Sequence, residues 1–257
     1  MAFYQKYEGE GAAFGLWSAR GWPADRYYWS STIDAGYRGV SLSDGGNGSN
    51  APSNEEYASC IAAPPPGICG TGVDDTDPTN AVGNCLKVAT DNDGNWFTST
   101  PSVAVMDALG YTIDGTETNS GDTYAATYTE NGTYGPADGV FAQFRQDGAT
   151  AINPIDGGDG SNGQFDRWCQ KLNTLEFGGK TTWERPTASA FDAFYQKYED
   201  EGAEGGLWSA RGWPTNIGYG SSTVFESGYL GMDLFNDDIY SDAPFDEVYA
   251  SCVSRNP

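Results

Sequence analysis

Oxygen-bearing side chains at alternate positions, Asp91, Asp93 and Asn95 with Gly94 between them, have the spacing with which a loop wraps a hard cation, and the cofactor they suggest is Ca²⁺. A full twelve-position calcium loop would close on a bidentate Glu, and Ser102 stands there instead. Two further acidic runs, Asp74-Asp75-Thr76-Asp77 and Asp156-Gly157-Gly158-Asp159, read as solvated turns. Histidine is absent from all 257 residues, which removes Ser-His and Cys-His catalysis, His-bound zinc and His-ligated haem together. Asp237-Asp238 is a carboxylate pair that could serve acid–base work. No convergent acid/base set accompanies it, so the chain is not expected to be an enzyme, nor to bind haem or nucleotide.

Five cysteines remain to be placed. Cys69 and Cys85 make a natural local pair, with Cys60–Cys69 as the alternative, and two bridges would leave one thiol over. Loops of this size, once closed, are worth on the order of 3 to 5 kcal/mol each in the chain-entropy model, and bridges imply an oxidising compartment.

The elements that must carry these residues are written twice in the chain. Phe3–Pro23 and Phe194–Pro214 are identical at 18 of 21 positions. From Ala24–Glu56 to Thr215–Val248, with Ser227 inserted, only 12 of 33 positions match, whereas Tyr57–Cys60 and Tyr249–Cys252 match completely. Between the copies Arg26 becomes Ile217, Tyr27 Gly218, Asp34 Phe225, Ser41 Asp233, Ser43 Phe235, Asn47 Ile239, Gly48 Tyr240, Ser53 Phe245 and Gly45-Gly46 Asp237-Asp238. Such exchanges respect neither volume nor polarity, so the positions are expected to face solvent or a ligand rather than a close-packed interior. Alternation in Tyr229–Phe235 predicts a strand with Leu230, Met232 and Leu234 on one face and Gly231, Asp233 and Phe235 on the other.

Periodicity predicts helices at Thr187–Tyr198, with Phe191, Phe194, Tyr195 and Tyr198 on one face, and at Asn162–Leu172, with Phe165, Trp168, Cys169 and Leu172 inward. Thr100–Gly110 reads as a short helix with a cap, Pro101 at its first position and Gly at its end. Thr123–Thr129 and Val140–Arg145 read as strands. In the first copy only the last turns of the first helix are present, at Phe3, Tyr4 and Tyr7. The domain reading is a partial repeat over 1–61, a Pro-rich linker over 62–67, a β-rich region over 68–139 that is either immunoglobulin-like or an extension of the module after it, and a complete module over 140–257. The fold class is α+β.

Acidic residues outnumber basic ones 36 to 13, a net charge of −23, which argues against nucleic acid or an anionic membrane as partner. No apolar run is long enough to span a bilayer, and the stretch Met1 to Lys6 does not read as a basic-then-apolar signal peptide.

The order of Trp168-Cys169 on a helix, a second helix, Gly212-Trp213-Pro214, a Tyr-x-Ser-Ser-Thr turn, a Gly-Tyr strand and Tyr249-Ala250-Ser251-Cys252 resembles C-type lectin-like domains, nearest those of bacterial surface adhesins of the intimin and invasin kind. The resemblance covers roughly Val140–Val253. It implies a Cys169–Cys252 bridge, two helices with a small antiparallel sheet, and an extracellular, bacterial-surface location. The calcium-and-sugar strings of the sugar-binding members are missing, which favours protein recognition by the bare loop surface. A narrower resemblance is to the variable proteins of diversity-generating retroelements, whose adenine-directed mutagenesis produces exchanges such as Asn47/Ile239 and Gly48/Tyr240.

These readings imply an adhesion module that binds a protein or glycan on another cell or surface, with neighbouring copies of the repeat as further partners. The ligand-binding residues expected are Asn216, Ile217, Gly218, Gly220, Phe225, Glu226, Asp233, Phe235, Asn236, Asp237, Asp238, Ile239, Tyr240, Asp242, Phe245 and Asp246. The alternative is a structural repeat or filament subunit whose modules act as spacers.

Overall fold

Three short strands, β1 (Tyr27–Ile33), β2 (Tyr37–Ser41) and β3 (Asn47–Asn50), pair antiparallel in that order, and Tyr57 bridges back to Tyr28. The computed structural model describes residues 27–33, 37–41, 47–50, 57, 64–201 and 206–256. The expected helical turns at Phe3, Tyr4 and Tyr7, the thiol of Cys60 and the first two linker residues lie outside them. The chain divides into two units, residues 1–62 and 63–257.

In the second unit β4 (Gly67–Ile68), β5 (Cys85–Leu86), β6 (Val88–Thr90) and β7 (Trp96–Thr98) lead to helix α1 (Val103–Ala108). There follow β8 (Thr112–Ile113), β9 (Thr123–Tyr124), β10 (Ala126–Thr129) and β11 (Val140–Gln143), then α2 (Gln164–Thr174), β12 (Trp183–Glu184), α3 (Ala188–Tyr198) and α4 (Gly206–Arg211). The last elements are β13 (Tyr219–Phe225), β14 (Gly228–Met232), β15 (Ile239–Asp242) and β16 (Val253–Ser254). Short helices and small sheets thus alternate in an α+β arrangement.

A four-stranded antiparallel sheet in the order β12-β16-β7-β6 separates two cores. Side chains alternate across it, as pleating requires. Val88 and Cys252 join Phe165, Trp168 and Leu172 of α2 on one side, while Ala89, Phe97 and Val253 join Phe191, Phe194 and Tyr198 of α3 on the other. Each such large apolar side chain is worth about 1.5 to 3 kcal/mol when fully buried. The β-rich region over 68–139 supplies β6 and β7 to the same sheet that residues 183–184 and 253–254 complete.

Helix α3 begins where Thr187 Oγ1 accepts the Ala190 N–H, and its predicted apolar face is the buried one. Helix α2 starts two residues later than its periodicity suggests, because the Asp166 carboxylate accepts the Gly163 N–H at 2.8 Å and fixes the first turn. For α1 the expected cap is displaced. Ser102 accepts from Val105, while the Thr100 hydroxyl donates to the Ala142 carbonyl, so Pro101 lies before the helix rather than in its first turn. The strand expected over Thr123–Thr129 breaks at Ala125, and the one over Val140–Arg145 stops at Gln143, where Phe144 turns to bridge Val248.

Two disulfides staple this unit. Cys169–Cys252, with Cα atoms 5.6 Å apart, joins α2 to the strand that closes the sheet, and Cys69–Cys85, at 5.0 Å, closes a local loop. Beside the latter, Lys87 is buried in an ion pair with Asp75 at 2.6 Å. Burial alone would raise the Asp75 carboxyl, but hydrogen bonds from Lys87, Thr71 and Asn80 outweigh it and hold it well below the usual carboxylate range.

Candidate functional site

The expected ligand-binding residues fall on the antiparallel sheet β13-β14-β15 and the loops that join it. Its base is fixed by a buried cation. Arg185, just before α3, donates to the Gln146 side chain and to the Ser221 carbonyl of β13, and reaches the Asp166 carboxylate at 3.4 Å. Its guanidinium lies between the rings of Phe165 and Tyr229, 5.0 and 4.6 Å from their centroids. A planar cation that stacks and donates at once is the task for which Arg rather than Lys is suited. Nothing in Trp183-Glu184-Arg185-Pro186 signals this, since the partners are contributed by four distant segments.

A second support lies beneath residues 214–218. Tyr219 donates to the Pro214 carbonyl, Thr215 donates through both N–H and hydroxyl to the Tyr134 carbonyl, and Asn216 Nδ2 donates to the Tyr128 hydroxyl at 2.6 Å. Below them Glu130, 1% exposed, accepts from the Tyr249 hydroxyl at 2.8 Å. Burial pushes the Glu130 carboxyl up to about 7, against the lowering effect of hydrogen bonds from Tyr249 and the Asn216 backbone.

On this base the sixteen residues do not form one open surface. Gly220 faces inward, where a Cβ would come within 2.7 Å of Val248 Cγ2. Ile217 is half-buried against the α3 core, and Phe235 is half-buried with its ring 4.4 Å from that of Tyr134. The expectation that all exchanged positions lie open therefore fails at these residues, because the segment before the sheet folds down onto residues 128–134. The predicted strand also stops early. Met232 ends β14, and Asp233–Asp238 form a turn closed by Asp233 N–H to the Asp238 carbonyl, with Asp237 in the left-handed region at φ 67°. Leu234 is nonetheless buried, while Leu230 is only half-buried.

The centre of the surface is Tyr240, half-buried over two glycines. A Cβ at Gly218 would overlap its hydroxyl, and one at Gly231 would come within 2.6 Å of its ring. Asp233, Asp242 and Asp246 surround it, so burial and then their charges raise the Tyr240 hydroxyl far above its ordinary value. Burial, followed by the charges of Asp246 and Asp233, likewise pushes Asp242 up to about 7. Asp246 also accepts the Ala243 N–H at 2.7 Å and so shapes its loop. To one side lies the turn with Asn236, Asp237, Asp238 and Ile239. Asn236 and Asp238 bond to each other there, Asp237 is 3.4 Å from Gln196 of α3, and Ile239 is 51% exposed. To the other side Phe225 (47% exposed), with Glu226 in the turn after it, and Phe245 (53%) flank a groove of about 310 Å³ that Ile155 (54%) completes.

The suspected calcium loop closes on itself as a turn. Asp91 accepts the Asp93 and Asn95 N–H groups through one oxygen and the Asn95 amide through the other, and the Asn95 side-chain oxygen Oδ1 accepts the Asn256 N–H. Among the described residues no helix is long and apolar enough to cross a membrane.

No family model matches the chain, and no curated protein matches it. Among solved structures it is similar to the Yersinia pseudotuberculosis adhesin InvE, at 14% identity and a TM-score of 0.37, over 84% of this chain and 43% of that one. The chain thus spans less than half the length of that structure, and a functional reading rests on the site's own geometry.

Proposed function

We propose that β13-β14-β15 and its loops form the recognition face of an extracellular adhesion module on a C-type lectin-like scaffold, which binds a protein or glycan on another cell or surface without catalysing a reaction. The observation that carries this reading is that the sheet occurs twice with one register and two different sets of residues at the exchanged positions. A frame held constant beneath a changing surface is how a scaffold selects partners. Exposed Phe225, Ile239 and Phe245 add apolar area of the sort that marks interaction sites. Two disulfides support an oxidising, extracellular setting.

The test is binding of the full chain to arrays of extracellular proteins and glycans. Tyr240→Ala combined with Phe235→Ala is expected to weaken any ligand at least tenfold, whereas Thr181→Ala, exposed outside the face, leaves it unchanged. Equal binding by all three proteins ends the proposal. A structural-repeat reading is favoured by one observation, the recurrence of the Tyr-Ala-Ser-Cys closure at a spacing of 192 residues. Concentration-dependent assembly in sedimentation, with no ligand on either array, would select it.

A further inference from the structure

The groove beside the sheet is built from three separate segments: Ile155 from the turn at Pro154–Asp156, Phe225 from the end of β13, and Phe245 from the loop after β15. All three apolar side chains stand about half exposed. The first copy of the repeat has Asp34 and Ser53 where Phe225 and Phe245 stand, so the shared frame does not require these rings. The lining is acidic as well as apolar. Glu226 and Asp242 belong to it, no lining residue is cationic, and Asp246 lies close enough to act on Asp242. Neighbouring cations are committed elsewhere, Arg145 to Asp147 at 2.6 Å and Arg185 to the buried cluster under the sheet. Glu226 adopts a left-handed conformation at φ 52° in the turn that carries it to the groove's rim.

Resting on the recognition reading above, we infer that this groove receives a protein segment that presents Lys or Arg beside a large apolar side chain. The apolar side chain fills the space among Ile155, Phe225 and Phe245, and the cation meets carboxylates that have no cation of their own. At about 310 Å³ the cavity is at the small end of the ~300 to 1,000 Å³ typical of ligand pockets, which suits one or two side chains. A second copy of this chain is disfavoured as occupant because each carries a net charge of −23.

The experiment is selection of a random twelve-residue peptide phage library on the full chain, followed by anisotropy titration of the enriched peptides. Enriched sequences are expected to combine Lys or Arg with Leu, Ile or Phe. Their affinity should fall at least tenfold with F225A/F245A, severalfold with Glu226→Lys, and severalfold again between 50 and 500 mM salt, as charges outside a short screening length cease to act. Phe225, Phe245 and Glu226 are exposed, so their variants should melt with the wild-type chain, and circular dichroism checks that they do. Enrichment of acidic or uncharged peptides, equal binding by F225A/F245A, or no enrichment overturns the inference, as does a glycan ligand lost through the same substitutions. If array binding depends on Tyr240 and Phe235 yet ignores Phe225 and Phe245, the recognition face stands and only the groove's occupant is wrong.

Discussion

The two three-stranded sheets, β1-β2-β3 and β13-β14-β15, are the same structure with different side chains. Tyr28 pairs with Val40 as Tyr219 pairs with Met232, Gly39 with Gly48 as Gly231 with Tyr240, and Tyr37 with Asn50 as Tyr229 with Asp242. Each first hairpin carries its irregularity at the same place, between Trp29 and Ile33 and between Gly220 and Val224. In each a tyrosine near the closing Cys bridges back, Tyr57 to Tyr28 and Tyr249 to Tyr219, with rings 5.3 and 5.5 Å apart. The difference lies in one reciprocal exchange. In the first sheet the Tyr27 ring lies against Gly48, where a Cβ would stand 3.2 Å from it, and in the second Tyr240 lies over Gly218. Positions 27 and 218 correspond, as do 48 and 240, so one ring is retained but comes from the opposite strand. Taken singly these exchanges ignore volume; taken as a pair they conserve it.

The comparison can be broken or sharpened in order of expected effect. Replacing both Cys169 and Cys252 by Ala removes a bridge across 83 residues of the second unit and should cost about 4.5 kcal/mol in urea unfolding. A loss below about 1 kcal/mol would show that the frame does not depend on it. Next, Gly218→Tyr should cost about 3 kcal/mol by overpacking against Tyr240. Adding Tyr240→Gly should recover most of that loss, and a coupling energy under about 0.5 kcal/mol would refute the exchange. Glu130 supports the second sheet through Tyr249, and its carboxyl rises from 4.5 to about 7 on folding. The native state therefore holds its proton more tightly, so this stabilisation is full below pH 4.5 and is lost as pH climbs through 7. Glu130→Gln should thus gain about 2 kcal/mol at pH 8 and nothing at pH 4, and a uniform gain or loss across pH would contradict the cause. The smallest effect concerns calcium. With the Asp91 oxygens already engaged, millimolar Ca²⁺ or EDTA should shift Tm by less than about 1 °C, and a rise of several degrees would reveal a site formed by rearrangement.

What could be read before the structure was local or periodic. The apolar faces of α2 and α3 announce themselves at i, i+3, i+4 and i+7, and the Gly-Tyr motif marks out β14, whereas Tyr-x-Ser-Ser-Thr, read as a turn, lies in strand β13. The early end of β14 was not legible, because alternation continues through Leu234 although the backbone has turned at Asp233. Arg185 and Glu130 were invisible for a different reason. Each matters through partners more than thirty residues away, Gln146 and Ser221 for one, Tyr249 for the other, and such contacts leave no pattern along the chain. Position-by-position comparison also misread Gly218 and Tyr240 as two free sites, since correlation between them appears only once the strands are side by side.

Strand β16 is only two residues long, yet it lies between β12 and β7 in the sheet that divides the two cores. Residues 253–254 must therefore leave the ribosome before strands made more than 150 residues earlier can be sealed. Until then the aromatic stripes of α2 and α3 lack part of the sheet they pack on and stay open to aggregation.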